Sequence, residues 1–175
     1  MTEPPLTLAQ VNALDRPGFV IALGHLFEGP PWIVEATWDA RPFATLDDLH
    51  RALVAVMYTA PIERQVALIQ AHPDLVGRAA LAGSLTPAST GEQAAAGLDS
   101  LTPDEIATFT RLNAEYRERF GFPFVICARE NKKESILAGF AQRMTHTRDE
   151  EIATALGDIA KICRLRLLDT VRDDG

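Results

Sequence analysis

Cysteine is scarce in this chain: Cys127 and Cys163 are the only two among 175 residues. They form no C-x-x-C pair and no ligand-spaced cluster, which excludes a disulfide scaffold and points to a reducing compartment. Excess positive charge is also missing. Seventeen Lys and Arg stand against 24 Asp and Glu, for a net charge of −7. No basic stripe offsets that balance, so no nucleic acid is expected as a partner. The same negative field repels anions, and a pocket for one needs its own local cation. No apolar run approaches the ~20 residues that span a bilayer, so no membrane partner is expected either. The start, Met1-Thr2-Glu3-Pro4-Pro5, lacks a basic region followed by an apolar stretch, and the end, Arg172-Asp173-Asp174-Gly175, is not a Ser-Lys-Leu address. A cytoplasmic protein is the expectation. His25, His50, His72 and His146 show no H-x-x-x-H or similar pairing, so no metal site is expected.

What is present suits one folded domain over residues 1–175. Hydrophobic residues make up 47% and charged residues 23%, a globular mix. Helix signals dominate. Thr7-x-x-Gln10 resembles a capping box, and Asp15 followed by Pro17 starts a second helix with Phe19, Val20, Leu23, Leu26 and Phe27 on one face. Gly29-Pro30-Pro31 breaks it. Residues 32–38 are ambiguous, since Ile33-Val34 favours strand while Pro31 suits a first helical turn. Thr45-x-x-Asp48 opens a helix to about Tyr58, and residues 61–71 read as the next. Residues 81–89 read as a loop of small residues, followed by a short helix over 92–98. Thr102-Pro103-x-Glu105 is the strongest start signal, for a helix to about Arg119. Helices over 131–144 and 147–171 complete the chain. The fold class is all-α, a single domain of several packed helices.

Three polar stretches stand out. His72-Pro73-Asp74 follows a helix whose apolar face includes Val66 and Ile69. His72 there is either a cap on the last carbonyls or an acid–base group, because the negative helix end favours the imidazolium. Ser89-Thr90-Gly91-Glu92-Gln93 reads as a capping box with Ser89 as N-cap, and equally as backbone and side-chain donors to an anion. Arg166 shares a helical stripe with Ile159, Ile162 and Cys163, whereas Arg164 faces Lys161. A cation on that stripe needs an anionic partner, either a protein carboxylate or a ligand. Between these stretches, Phe122-Pro123-Phe124-Val125-Ile126-Cys127-Ala128 looks buried without being clearly helical. Pro123 prevents regular pairing, so nearby backbone groups need other partners.

His72-Pro73-Asp74-Leu75, Ser89-x-x-Glu92-Gln93 with Ala96-Gly97-Leu98, Phe120-Gly121-Phe122-Pro123-Phe124-Val125-Ile126, and Lys161-Ile162-x-x-Leu165-Arg166-Leu167 together resemble OHCU decarboxylase, the 2-oxo-4-hydroxy-4-carboxy-5-ureidoimidazoline decarboxylase of the urate-to-allantoin pathway. Phe27-Glu28, Pro31-Trp32 and Arg41-Pro42-Phe43 fit as well. The resemblance covers nearly the whole chain, with four motifs in order. It implies an all-α homodimer without cofactor or metal, acting on a small ureidoimidazoline. It implies His72, Glu92 and Arg166 as catalytic groups. Around the substrate it places Pro73, Ser89, Thr90, Gly91, Glu92, Gln93, the backbone of Phe124, Val125, Ile126, Cys127 and Ala128, and Arg166. Two other readings stay open: a cofactor-free hydrolase or isomerase of another ureide, and a non-catalytic helical binding module.

Overall fold

The helix starts follow from local capping chemistry. The computed structural model describes residues 3–174, with Ala79 described by its backbone alone. Met1, Thr2 and Gly175, read above for targeting signals, lie outside the described residues. In chain order the elements are β1 (Leu6–Thr7), α1 (Leu8–Ala13), α2 (Arg16–Leu23), α3 (Trp32–Thr37), α4 (Leu46–Thr59), α5 (Ile62–Gln70), α6 (Arg78–Leu81), α7 (Pro87–Ala95), α8 (Pro103–Phe120), α9 (Lys133–Arg143), α10 (Arg148–Thr170) and β2 (Val171–Arg172), with 3-10 turns at Gly24–Leu26, Trp38–Ala40 and Ala128–Glu130. The fold is all-α apart from the bridge between β1 and β2. Among the described residues, no single helix is long and apolar enough to cross a membrane.

Contacts divide the chain into two compact units, Met1–Gln65 with Ala160–Gly175, and Val66–Ile159. In the first, Leu6 pairs with Val171 and Thr7 with Arg172 in a parallel bridge. Beside it the Ala9 N–H donates to the Asp174 carboxylate. The Thr7 and Gln10 box caps α1, and Asp15 caps α2. Arg41 closes the far end of α1, donating to the carbonyls of Asn12 and Leu14 while stacking on Trp38 at 4.0 Å. The buried residues of this unit include Val11, Phe19, Leu23, Leu26, Leu49, Leu53 and Met57. Each such apolar side chain contributes about 1.5–3 kcal/mol of transfer free energy. The ambiguous residues 32–38 begin as helix α3, which packs on α2 and α4 with Ile33 and Val34 buried. Packing of that apolar face overrides the β preference of the two branched residues.

The second unit is built on an aromatic cluster. Tyr116, Phe120, Phe122, Phe124 and Phe140 meet edge-on, tilted or stacked, with Phe124 and Phe140 centroids 3.8 Å apart. Helix α8 supplies Tyr116 and Phe120, and it ends at Gly121, whose φ of 81° is the left-handed cap that turns the chain into residues 122–127.

One stretch departs from the sequence reading. Residues 81–89 are not a loop throughout: α6 ends at Leu81, and α7 begins at Pro87 with Thr86 as N-cap, its hydroxyl accepting from the Ser89 N–H. Ser89 is therefore not the cap. It lies in the first turn, because proline at the first helical position with threonine before it is the stronger start signal.

Candidate functional site

His72 lies just past the end of α5, with 7% of its surface exposed. Its Nδ1 is 2.8 Å from the Leu68 carbonyl. A carbonyl only accepts, so Nδ1 is the donor. The cap reading of His72 is thus correct, and it also fixes the tautomer that an acid–base group needs.

The turn after His72 is held in an unusual conformation. Val76 has a φ of 53°, which a β-branched residue rarely adopts and which costs about 1–3 kcal/mol. Gly77 follows, where an added Cβ would stand 2.6 Å from the Asp74 Cβ. Three side chains grip this turn. Gln93 Oε1 accepts from the Val76 N–H at 3.0 Å, and Gln93 Nε2 donates to the Asp74 carbonyl at 3.4 Å. Asn113 Nδ2 donates to the Leu75 carbonyl at 2.7 Å. Arg117 Nε donates to the Asp74 carboxylate at 3.0 Å.

Helix α7 carries the second polar stretch. Ser89 and Gln93 are four apart and both buried, Glu92 is half-buried beside them, and Thr90 and Gly91 are exposed. The Thr90 N–H is already bonded to the Thr86 carbonyl and its hydroxyl donates there too. Gln93 ties this helix to the His72 turn. Helix α7 also packs on the 3-10 turn Ala128–Glu130, which follows residues 124–127 in the chain.

The apolar stretch read from the sequence as substrate-facing is residues 124–128. Phe124, Val125, Cys127 and Ala128 are buried and Ile126 is half-buried. A buried polar group fixes this backbone from behind. Arg143 Nη1 donates to the Val125 carbonyl at 2.6 Å, its guanidinium lies 4.3 Å from the Phe124 ring centre, and Asp158 accepts from the Cys127 N–H at 3.0 Å. Arg143 is joined in turn to Glu151, which is fully buried and also accepts from Tyr116 and from His146 Nδ1. Burial, with the Glu151 bond adding to it, pushes the Tyr116 hydroxyl far above its ordinary value, so it acts only as a donor here. Burial, with Glu130, Asp158 and Glu92 nearby, pushes the Cys127 thiol up to about 11. The thiol is protonated at neutral pH and is no nucleophile.

Arg166 belongs to the other unit. Ile159, Ile162, Cys163 and Arg166 are all buried, as the helical stripe requires, whereas Arg164 is exposed and paired with Asp47. The anionic partner of Arg166 is a protein group: Nη2 donates to Glu28 at 3.0 Å and Nη1 to the His25 carbonyl at 3.0 Å. Burial, opposed by Arg166, holds the Cys163 thiol at about 12.

Sequence reasoning missed Asn113, Arg117, Arg143, Glu151 and Asp158. Asn113, Arg117 and Tyr116 share one face of α8 at helical spacing, which was a visible signal. Among the described residues, no group of three or more His, Cys, Asp or Glu is arranged to hold a metal ion.

Known proteins give this geometry its context. The family model for OHCU decarboxylase matches residues 12–168. A 2-oxo-4-hydroxy-4-carboxy-5-ureidoimidazoline decarboxylase from Haloferax volcanii is 43% identical over 93% of this chain and 94% of its own. One from Amia calva is 42% identical over 95% of each. A crystal structure of (S)-allantoin synthase superposes with a TM-score of 0.78 at 28% identity, covering 96% of this chain and 54% of that one, so this chain spans about half of that longer protein.

Proposed function

This chain belongs to the OHCU decarboxylase family, and on that footing we propose that it converts 2-oxo-4-hydroxy-4-carboxy-5-ureidoimidazoline to (S)-allantoin in urate breakdown. The observation that carries the reading is the buried His72 with Nδ1 committed to Leu68, within a family whose named members are such decarboxylases. The enzyme is a carboxy-lyase that works as one domain over residues 1–175, without cofactor or metal.

The substrate makes a cofactor-free reaction reasonable. Loss of carbon dioxide leaves an electron pair on the ring carbon. The pair forms a double bond to the adjacent imine-like carbon that bears the ureido group, while that carbon's C=N π pair moves onto the ring nitrogen and takes a proton, giving an enol-like intermediate. The ring hydroxyl proton then leaves as the carbonyl forms, and a proton added to one face of the ureido carbon sets the (S) configuration. The protein must orient the carboxylate, stabilise charge entering the ring and move those protons.

His72 Nε2 is the proton carrier. Glu92, on the neighbouring face of α7, holds the histidine or the ureido group. Ser89, Thr90, Gly91 and Gln93 supply polar contacts, with Ser89 and Gln93 on the buried side favoured over the exposed pair. The backbone of residues 124–128, with Pro73, lines the ring. Arg166 stabilises charge left on ring or ureido oxygen, since clamping the departing carboxylate would favour the ground state. Its part rests on the family resemblance alone.

The test generates the unstable substrate in place with urate oxidase and hydroxyisourate hydrolase and follows optical activity. Rapid appearance of optically active allantoin, unaffected by a chelator, is expected. Racemic product at the spontaneous rate would overturn the reading. Stabilisation by allantoin without turnover would favour a binding module instead. The same reading carries a cytoplasmic homodimer, whose mass light scattering measures.

A further inference from the structure

We propose that Asn113 is a positioning residue for His72, holding the turn of residues 74–77 in its strained form and through it the place of the imidazole. The inference rests on the role given to His72 above. Consecutive residues of the turn are gripped by separate side chains: Asp74 by Arg117, the Leu75 carbonyl by Asn113, and the Val76 N–H by Gln93. Asn113 and Arg117 stand one turn apart on α8, so a single capped helix holds two of the three grips. Only Pro73 separates His72 from the turn, and its ring fixes one backbone dihedral, so a shift of Asp74 and Leu75 is passed to the histidine.

Leu75 and Val76 are buried, yet packing is not the whole hold on this turn. It borders a cavity of about 730 Å³ lined by Asp74, Val76, Gly77, Arg78, Asn113 and Arg117 among others. A Val76 released from its positive φ has that space to relax into. The hydrogen bonds act together with that burial to keep it in place. Asn113 is an odd choice for stability alone. It is buried, with 5% of its surface exposed, and its Oδ1 has no hydrogen-bond partner among the described residues. An unmet buried acceptor is destabilising. A buried amide that leaves one atom unmet, and bonds through the other to the turn beside the proton carrier, serves geometry.

The experiment compares Asn113→Ala, Arg117→Met and His72→Asn in the coupled optical assay, with the folded fraction of each measured by circular dichroism. Asn113→Ala is expected to lower kcat about 10- to 100-fold per folded molecule, the scale of a small misplacement of a reacting group. KM should stay within about threefold, because α7 and residues 124–128 keep their places, and the pH–kcat profile should move with the surroundings of His72. A purely structural Asn113 would lower the melting temperature and leave kcat per folded molecule and the pH profile unchanged, which would overturn the inference. Should Asn113→Ala fail to fold, the half-exposed Arg117→Met decides it. A lowered kcat at constant KM supports the inference, and an unchanged kcat refutes it. If His72→Asn itself turned over normally, the proposed function of His72 would fail first. If only His72→Asn lost activity, the positioning inference alone would fail.

Discussion

Arg143 and Glu151 form an ion pair out of reach of water, and from it Arg143 extends to the Val125 carbonyl. One guanidinium thus neutralises a buried carboxylate and fixes the backbone proposed to face the substrate. Taking two charges out of water is costly, and breaking such a pair on one side costs about 3–5 kcal/mol. Glu151→Ala is expected to fall in that range by denaturant unfolding. Tyr116→Phe, which removes one neutral donor to the same carboxylate, should lose only about 1–2 kcal/mol. Equal losses would mean that the charge pairing contributes nothing.

His72→Asn should lower turnover by ~10²–10⁴-fold, the usual worth of a placed acid–base group, with the fold intact. Asparagine retains a donor for the Leu68 carbonyl, so helix α5 should keep its end. Normal turnover, read in the coupled assay, would leave His72 as a cap only.

Arg166→Gln strips Glu28 of its guanidinium and should destabilise by about 3–5 kcal/mol. Adding Glu28→Gln should recover much of that loss, because no lone carboxylate then remains. If activity stays low in the stable double variant, Arg166 acts on the substrate. If it returns, the ion pair was structural. Arg164→Gln, at an exposed pair with Asp47, should cost at most ~0.5 kcal/mol in urea melts and leave activity near normal.

Acid should weaken the fold through surface carboxylates. The Lys133 ammonium, with the Thr102 N–H, holds Glu105 below its ordinary value, and Arg164 does the same for Asp47. A depressed folded pKa contributes stability that is complete above the unfolded value, near about 4, and is lost as pH falls through the folded one. The melting temperature should drop across that window. The Asp47→Asn, Glu105→Gln variant should show a shallower fall, and slopes equal to those of the unsubstituted protein would exclude these two groups.

Local chemistry made most of the helices readable. The starts at Thr7, Asp15, Thr45, Thr102 and Thr147 are side-chain caps that need no distant partner. Arg166 was legible because helical phase is enough to separate it from Arg164. Helix α7 was misplaced because two caps compete there, Thr86 before proline and Ser89 before Glu92, and only one is used. The grip on the His72 turn and the buried ion pair were not legible. Glu151 sits in the run Asp149-Glu150-Glu151, which reads as a solvated first turn. It is buried by Tyr116, 35 residues away, and no periodicity announces that. Asn113 likewise meets Leu75 across 38 residues.

Pairing Leu6 with Val171 also orders the folding reaction in time. The neighbouring bond from Ala9 to Asp174 spans 165 residues. Closing a flexible loop of that length costs about 4–5 kcal/mol in chain entropy, while two two-residue strands return only a few hydrogen bonds at about 1 kcal/mol each. The bridge therefore forms after the helices have drawn the two segments together, and it is absent from the nucleus. Substitutions that weaken it should speed unfolding and leave the rate of folding almost untouched.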